Sequence, residues 1–296
     1  MRRFMKRMGR VWKQAERVTI SSEDRMILFS DVHRGDGTYA DQFMPNQQVY
    51  FAALRYYLQN GYTYIELGDG DELWENRNFA VIREAHGDIF WLLREFYLRN
   101  RLIMLYGNHD MVKKSARYWD RTCSHYHCEV DLCKKELFPD LQVKEGIVLS
   151  YKDSGRDILL IHGHQGDFIN DAGWRIGRFL VRYLWKPFNS VGLIEPTSAA
   201  KNHHKKGKIE KRMIQWADKN NTMVITGHTH RSTFPCPKES LYFNTGSCVH
   251  PRCITGIEIA CGKITLVKWC YGVTGQNVVK IGREVLEGPF LLDEYM

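Results

Sequence analysis

Five short apolar runs in this 296-residue chain each end in residue types that can hold a metal ion. "RMILFSDVH" runs into Asp31 and His33, and "YTYIELGDGD" into Asp69. "RLIMLYGNHD" ends in Asn108, His109 and Asp110, "DILLIHGHQGD" in His162 and His164, and "NTMVITGHTH" in His228 and His230. Runs of this length, bounded by glycine, read as buried strands. Between them lie amphipathic helical patterns, "NQQVYFAALRYYLQNG", closed by Gly61, and "FAVIREAHGDIFWLLREFYLRN". Alternating strands and helices point to a layered α/β fold with parallel pairing. In open α/β sheets, ligands bind outside the carboxyl ends of the strands. One histidine pair after a strand could be a surface turn, but five such ends in succession constrain the chain to gather them in one place.

The donors are oxygen and nitrogen with no thiolate, a set that suits Mn, Fe or Zn better than Cu(I) or an iron–sulfur cluster. Seven of them exceed what one tetrahedral site uses. They suffice for two ions sharing a carboxylate, the recurrent clamp for in-line displacement at phosphorus. Either His162 or His164 can serve at the fourth strand end.

Elsewhere the chain says less. A formal charge of +8 suggests an anionic partner. Eight cysteines without CxxC pairs argue against a disulfide framework, and Cys123, Cys128 and Cys133, with His125 and His127 among them, fit no standard zinc spacing. These cysteines read as reduced thiols on or near a helix, in a cytoplasmic protein. No run approaches the ~20 apolar residues that span a bilayer. "MRRFMKRMGRVWKQAERV" lacks the apolar core of a secretory signal. Phe4, Met8, Val11 and Trp12 recur at helical spacing there, so residues 1–24 are expected to carry a basic helix, docked on its own domain or resting on an anionic membrane. Residues 168–212 interrupt the strand pattern with aromatic "WRIGRFLVRYLWKPF" and basic "TSAAKNHHKKGKIEKR", an insertion expected over the strand ends. "CITGIEIACGKITLVKW" reads as a hairpin turning at Cys261-Gly262-Lys263.

Taken in order, "DVH", "GD", "GNHD", "HGH" and "GHTH" resemble the five signature blocks of the calcineurin-like metallophosphoesterases, over about residues 26–250. The resemblance implies a four-layer α/β/β/α sandwich of two mixed β-sheets flanked by helices, here with a helical lid insertion. It implies that Asp31, His33 and His230 hold one metal, that Asn108, His162 and His228 hold the other, and that Asp69 bridges them. It favours His162 over His164. His109 would stand beside the metals, paired with Asp110, and assist the phosphate and the leaving group. Two divalent ions are implied, Mn²⁺ in the first place and Fe or Zn as alternatives. "GDGDELWE" fits a GD-x-x-E-x-W form and resembles the branch containing UDP-2,3-diacylglucosamine diphosphatase, which also carries a helical, partly basic insertion. His109 departs from that branch, which has arginine there.

The expectation is therefore a metallophosphoesterase domain over residues 25–296, with a lid at about 168–212, preceded by the basic helix. It would hydrolyse a small anionic phosphate ester or pyrophosphate by in-line attack of a metal-bound hydroxide. A protein phosphatase, a nuclease or a metal-bound scaffold of the same superfamily are the alternatives. Nucleic acid is not expected as a partner, since no recognisable nucleic-acid module accompanies the charge. Arg34 either reaches a phosphate or is solvated, and His86, His125, His127 and His250 read as surface or satisfied core histidines.

Overall fold

Four consecutive residues, Met26 to Phe29, are buried, yet they enter two different cores. Met26 and Leu28 join one apolar cluster, Ile27 and Phe29 another. Successive side chains of a strand point to opposite faces, so a run without polar alternation needs a layer on each side. The computed structural model describes residues 1–128, 133–167, 170–171, 173–185, 203–273 and 275–295.

The strands in chain order are β1 (Glu16–Ile20), β2 (Arg25–Phe29), β3 (Thr63–Leu67), β4 (Leu102–Leu105), β5 (His125–Cys128), β6 (Cys133–Glu136) and β7 (Gly146–Tyr151). There follow β8 (Arg156–Ile161), β9 (Met223–Thr226), β10 (Tyr242–Asn244), β11 (Cys253–Ala260), β12 (Lys263–Val273) and β13 (Val279–Leu291). One sheet has the order β13-β12-β11-β2-β3-β4, and the other β1-β7-β8-β9-β10. Both are mixed: β2, β3 and β4 run parallel while β11 pairs antiparallel with β2, and β8, β9 and β10 run parallel while β7 pairs antiparallel with β8. β5 and β6 form a separate hairpin.

The helices are α1 (Arg2–Gln14), α2 (Gln47–Gln59), α3 (Phe79–Ala85), α4 (Gly87–Leu98), α5 (Ala116–Thr122), α6 (Trp174–Leu180) and α7 (His203–Asn220). Leu28, Ile65 and Ile257 meet Leu149, Leu160 and Ile225 between the two sheets. Tyr50, Leu54 and Tyr57 of α2 and Leu93 and Phe96 of α4 cover the outer face of the six-stranded sheet. Phe4, Met8 and Val11 of α1, with Met213, Trp216 and Ala217 of α7, cover the outer face of the other. The result is the expected α/β/β/α sandwich.

Several elements differ in detail from the sequence reading. The basic N-terminal segment forms helix α1 and then continues as strand β1, paired in parallel with β7. β1 alternates exposed and half-buried residues before Ile20, the pattern of an edge strand, which carries a weak apolar signal. The pattern read as one long helix is two, α3 and α4, broken at His86. The His86 ring is buried between Asp41 (Nε2 to Oδ2, 2.8 Å) and Gln47 (Nδ1 to Oε1, 3.0 Å), and its backbone leaves the helical region (φ −122°, ψ 37°). The expected hairpin closes at Cys261-Gly262 with both residues at positive φ. Cys123 follows helix α5, whereas Cys128 and Cys133 lie opposite each other on the β5–β6 hairpin. Of the lid, α6 and a π-helical turn, Val181–Trp185, are described, as is the basic start of α7; residues 168–169, 172 and 186–202 lie outside the described residues. No helix among the described residues is long and apolar enough to cross a membrane.

Candidate metal centre

The loops after β2, β3, β4, β8 and β9 converge at one edge of the sandwich and bring their donors together. Asp31, His33 and His230 form one group whose ligand atoms lie within 4.8 Å of one another. Asp69, His162 and His228 form a second, and Asp69 also groups with His33 and His109. Asp69 thus belongs to both sides of the cluster. The side chains are almost wholly buried: Asp31, Asp69, Asn108, His162 and His228 are at most 4% exposed.

The chain adopts costly backbone to make this cluster. Asp31 (φ 52°), His33 (φ 50°), Asp69 (φ 52°), His228 (φ 69°) and His230 (φ 55°) all sit in the left-handed region. For residues with a Cβ this costs of order 1–3 kcal/mol each and persists where surrounding contacts enforce it, as at functional sites. Here Asp31 N donates to Gly68 O (3.1 Å) and His33 N to Asp69 O (2.9 Å), stitching the first loop to the second. Gly107 is required by the same crowding: a Cβ there would stand 2.6 Å from the Asp69 nitrogen.

Among the described residues, four buried donor atoms of this cluster have no hydrogen-bond partner: Asp31 Oδ1, Asn108 Oδ1, His162 Nε2 and His228 Nε2. Buried polar atoms without partners are rare and expensive, and an ion is one of the few things that explains them. Asp31 Oδ1 lies 3.0 Å from His230 Nε2, and Asp69 Oδ2 lies 3.1 Å from His162 Nε2, close approaches without hydrogen-bond alignment. Atoms that converge in this way on a common point fit divalent cations. His162 Nδ1 is held by Leu67 O (2.8 Å), which fixes the ring and presents Nε2 to the cluster.

Charge follows the geometry. Burial opposes ionisation of Asp69, but the neighbouring His162 and His109 charges outweigh it and hold the carboxyl well below its usual range. Burial likewise opposes protonation of His162, yet Asp69 and Asp31 raise it to about 9. His228, buried and beside His162, is pushed down to about 3 and is a neutral donor.

The structure separates His162 from His164. His162 faces Asp69, whereas His164 groups with Glu145 and Asp171. The described contacts of His109 include Glu72 and Trp74, where the expected partner was Asp110. His109 Nδ1 lies 2.8 Å from the Glu72 carboxylate, and its ring stacks on Trp74 (centroids 4.3 Å apart, planes at 21°). Asp110 instead turns inward, accepting from Gly107 N (2.7 Å), Gly70 N (3.1 Å) and Asp69 N (3.3 Å), with Lys113 Nζ at 2.8 Å. A carboxylate that accepts from three backbone amides ties the "GD" loop to the "GNHD" loop. Arg34 is neither solvated nor aimed at a phosphate. It is fully buried, with both terminal nitrogens on Glu66 (2.8 and 2.9 Å) and Nε on Asp71 (2.6 Å).

Glu72 and Trp74 are the site residues that reading the sequence did not assign. Glu72 accepts from His33 Nδ1 as well (2.9 Å), so one carboxylate orients two histidines. Their signal was the GD-x-x-E-x-W block, where glutamate and tryptophan stand three and five residues after Asp69.

No curated protein matches the chain. Among solved structures, that of Vps29 from Chaetomium thermophilum aligns over 90% of this chain and 96% of that chain, at 11% identity and a TM-score of 0.39. The model of the calcineurin-like phosphoesterases matches residues 25–232, which contain all five blocks of converging donors. The chain belongs to the calcineurin-like phosphoesterase family.

Proposed function

We infer that the chain is a dinuclear metal-dependent phosphoesterase acting on a small phosphate ester or pyrophosphate. The observation that carries this reading is the shared position of Asp69, grouped with His33 on one side and with His162 and His228 on the other. Asp31, His33 and His230 would hold one ion, and Asn108, His162 and His228 the other, with Asp69 between them. Ions held there, Mn²⁺ first among them, would neutralise phosphoryl charge and lower the pKa of water at the site.

The remaining work falls to side chains. His109 is the group at the open margin, its side chain 23% exposed, and Glu72 and Trp74 hold its ring in one orientation. A positioned imidazole can donate a proton to a departing oxygen near neutral pH. The lid contacts the same loop: Arg182 donates to Leu73 O (2.7 Å) and Trp74 O (2.8 Å). The GD-x-x-E-x-W block and this helical lid support a likeness to the UDP-2,3-diacylglucosamine diphosphatase branch, and so make a pyrophosphate an early substrate to test. His109 in place of that branch's arginine keeps simple mono- and diesters in the set. The apolar face of α1 packs inward, so contact with an anionic membrane would run through exposed Arg2, Arg3, Lys6, Arg10 and Lys13.

The test is metal content together with Mn²⁺-stimulated hydrolysis of bis-p-nitrophenyl phosphate, p-nitrophenyl phosphate and a UDP-linked pyrophosphate. About two ions at the Asp69 centre with turnover on one of these supports the reading. Metal without turnover on any of them favours a scaffold, and no bound metal under any loading condition overturns it.

A further inference from the structure

His164 is fully buried, and neither of its ring nitrogens has a hydrogen-bond partner. The Asp69 cluster does not account for it. One of its nitrogens lies with carboxylate oxygens of Glu145 and Asp171 in a group whose ligand atoms are all within 4.8 Å of one another. Donors bound at about 2.1 Å to one ion stand roughly 3–4 Å apart, so a group within 4.8 Å needs only a small side-chain closure to take a single cation.

We propose that Glu145, His164 and Asp171 form an additional divalent-cation site, separate from the Asp69 centre. One imidazole and two carboxylates suit a first-row ion such as Mn²⁺ or Zn²⁺, with water completing its shell. The carboxylates are partly open to solvent, at 22% for Glu145 and 18% for Asp171, which gives an ion access.

Arg7 already touches both acids. Its Nε donates to Asp171 Oδ2 (2.8 Å) and Nη2 to Asp171 Oδ1 (3.1 Å), while Nη1 donates to Glu145 Oε2 (3.4 Å) and Nη2 to Glu145 Oε1. Gly166 N donates to Asp171 Oδ2 as well (2.9 Å). One guanidinium balances one of two carboxylate charges and leaves His164 unanswered. Ionised carboxylates offer about four acceptor sites each, and ligating carboxylates are commonly held from behind by such donors. Arg7 therefore orients the acids, and the imidazole faces the remaining negative charge.

The three ligands come from three places: Glu145 just before β7, His164 just after β8, and Asp171 at the root of the lid. An ion there fastens the lid root to the sheet, eleven residues before the Arg182 contacts with Leu73 and Trp74.

The full chain would be stripped with chelator, reloaded with Mn²⁺ or Zn²⁺, and its bound metal counted by mass spectrometry. The expected result is one equivalent fewer in Asp171→Asn and in His164→Gln than in the parent, with the ion at this site retained in Asp69→Asn. Circular dichroism checks that each variant folds, and Glu145→Gln serves if His164→Gln does not. Equal metal content in the parent and in every folded variant of this trio overturns the proposal. If Asp69→Asn changes nothing while Asp171→Asn removes an ion, this site stands and the dinuclear reading fails; the reverse pattern leaves the dinuclear reading and removes this site.

Discussion

The Glu72 carboxylate lies 2.8 Å from His109 Nδ1 and holds a histidine whose side chain is 23% exposed, against 15% for His230. The same carboxylate accepts from His33 Nδ1, so a single side chain orients both rings. Replacing His109 by alanine should keep the metals and lower turnover by about 10²–10⁴-fold, the usual share of a positioned acid–base group. Glu72→Gln should lower both turnover and metal affinity, because it loosens His33 as well. Activity assays paired with metal analysis separate the two; a fully active His109→Ala would remove that residue from the chemistry.

Asp69→Asn removes the carboxylate that groups with His33 and His109 on one side and with His162 and His228 on the other. The expected result is loss of the ions of the Asp69 centre and of activity together, with the fold retained by circular dichroism. Retained metal at full stoichiometry would show that the carboxylate is not shared between ions.

Gly107→Ala places a methyl 2.6 Å from the Asp69 nitrogen and 2.7 Å from its Cγ, so the two ligand loops must part. Overpacking of this kind costs typically 1–3 kcal/mol, and here it should also abolish metal binding. Gly9→Ala in α1 meets nothing within 4 Å and should raise stability by about 0.5–1 kcal/mol through helix propensity. Thermal melts of both variants, with and without metal, test the contrast.

Lys113 is buried with its ammonium 2.6 Å from Asp71 Oδ2 and 2.8 Å from Asp110 Oδ2. Lys113→Met leaves those carboxylates facing each other with Arg34 as the nearest described compensation at Asp71. Breaking a buried pair on one side costs about 3–5 kcal/mol. Metal affinity should fall too, since Asp110 carries the backbone amides of both loops.

In the metal-free protein, His162 is raised from 6.5 to about 9 by Asp69 and Asp31 against the opposing effect of burial. A group whose folded pKa is raised adds stability that is complete below its unfolded pKa and vanishes as pH rises through the folded one. The melting temperature of chelator-treated protein should therefore fall between pH 6.5 and 9 on this account, and metal binding at pH 7 should release protons. Calorimetry in buffers of different ionisation enthalpy measures that release; none at pH 7 would contradict a protonated His162.

How much of this was legible in the sequence depended on range. Strand ends, the helix at 47–59 and the set of converging Asp, Asn and His donors are written in local apolar runs and their terminal residues, because strand burial and side-chain chemistry are properties of a few neighbouring positions. The calcineurin-like blocks carried the family for the same reason. What the sequence did not show is which polar groups share a partner. That Asp110 clamps amides while Glu72 takes His109, that Arg34 is sealed inside, and that His164 faces Glu145 and Asp171 all depend on contacts between loops distant along the chain. A carboxylate serves whichever donor the packed sheets bring within 3 Å, and only the tertiary structure decides which one that is.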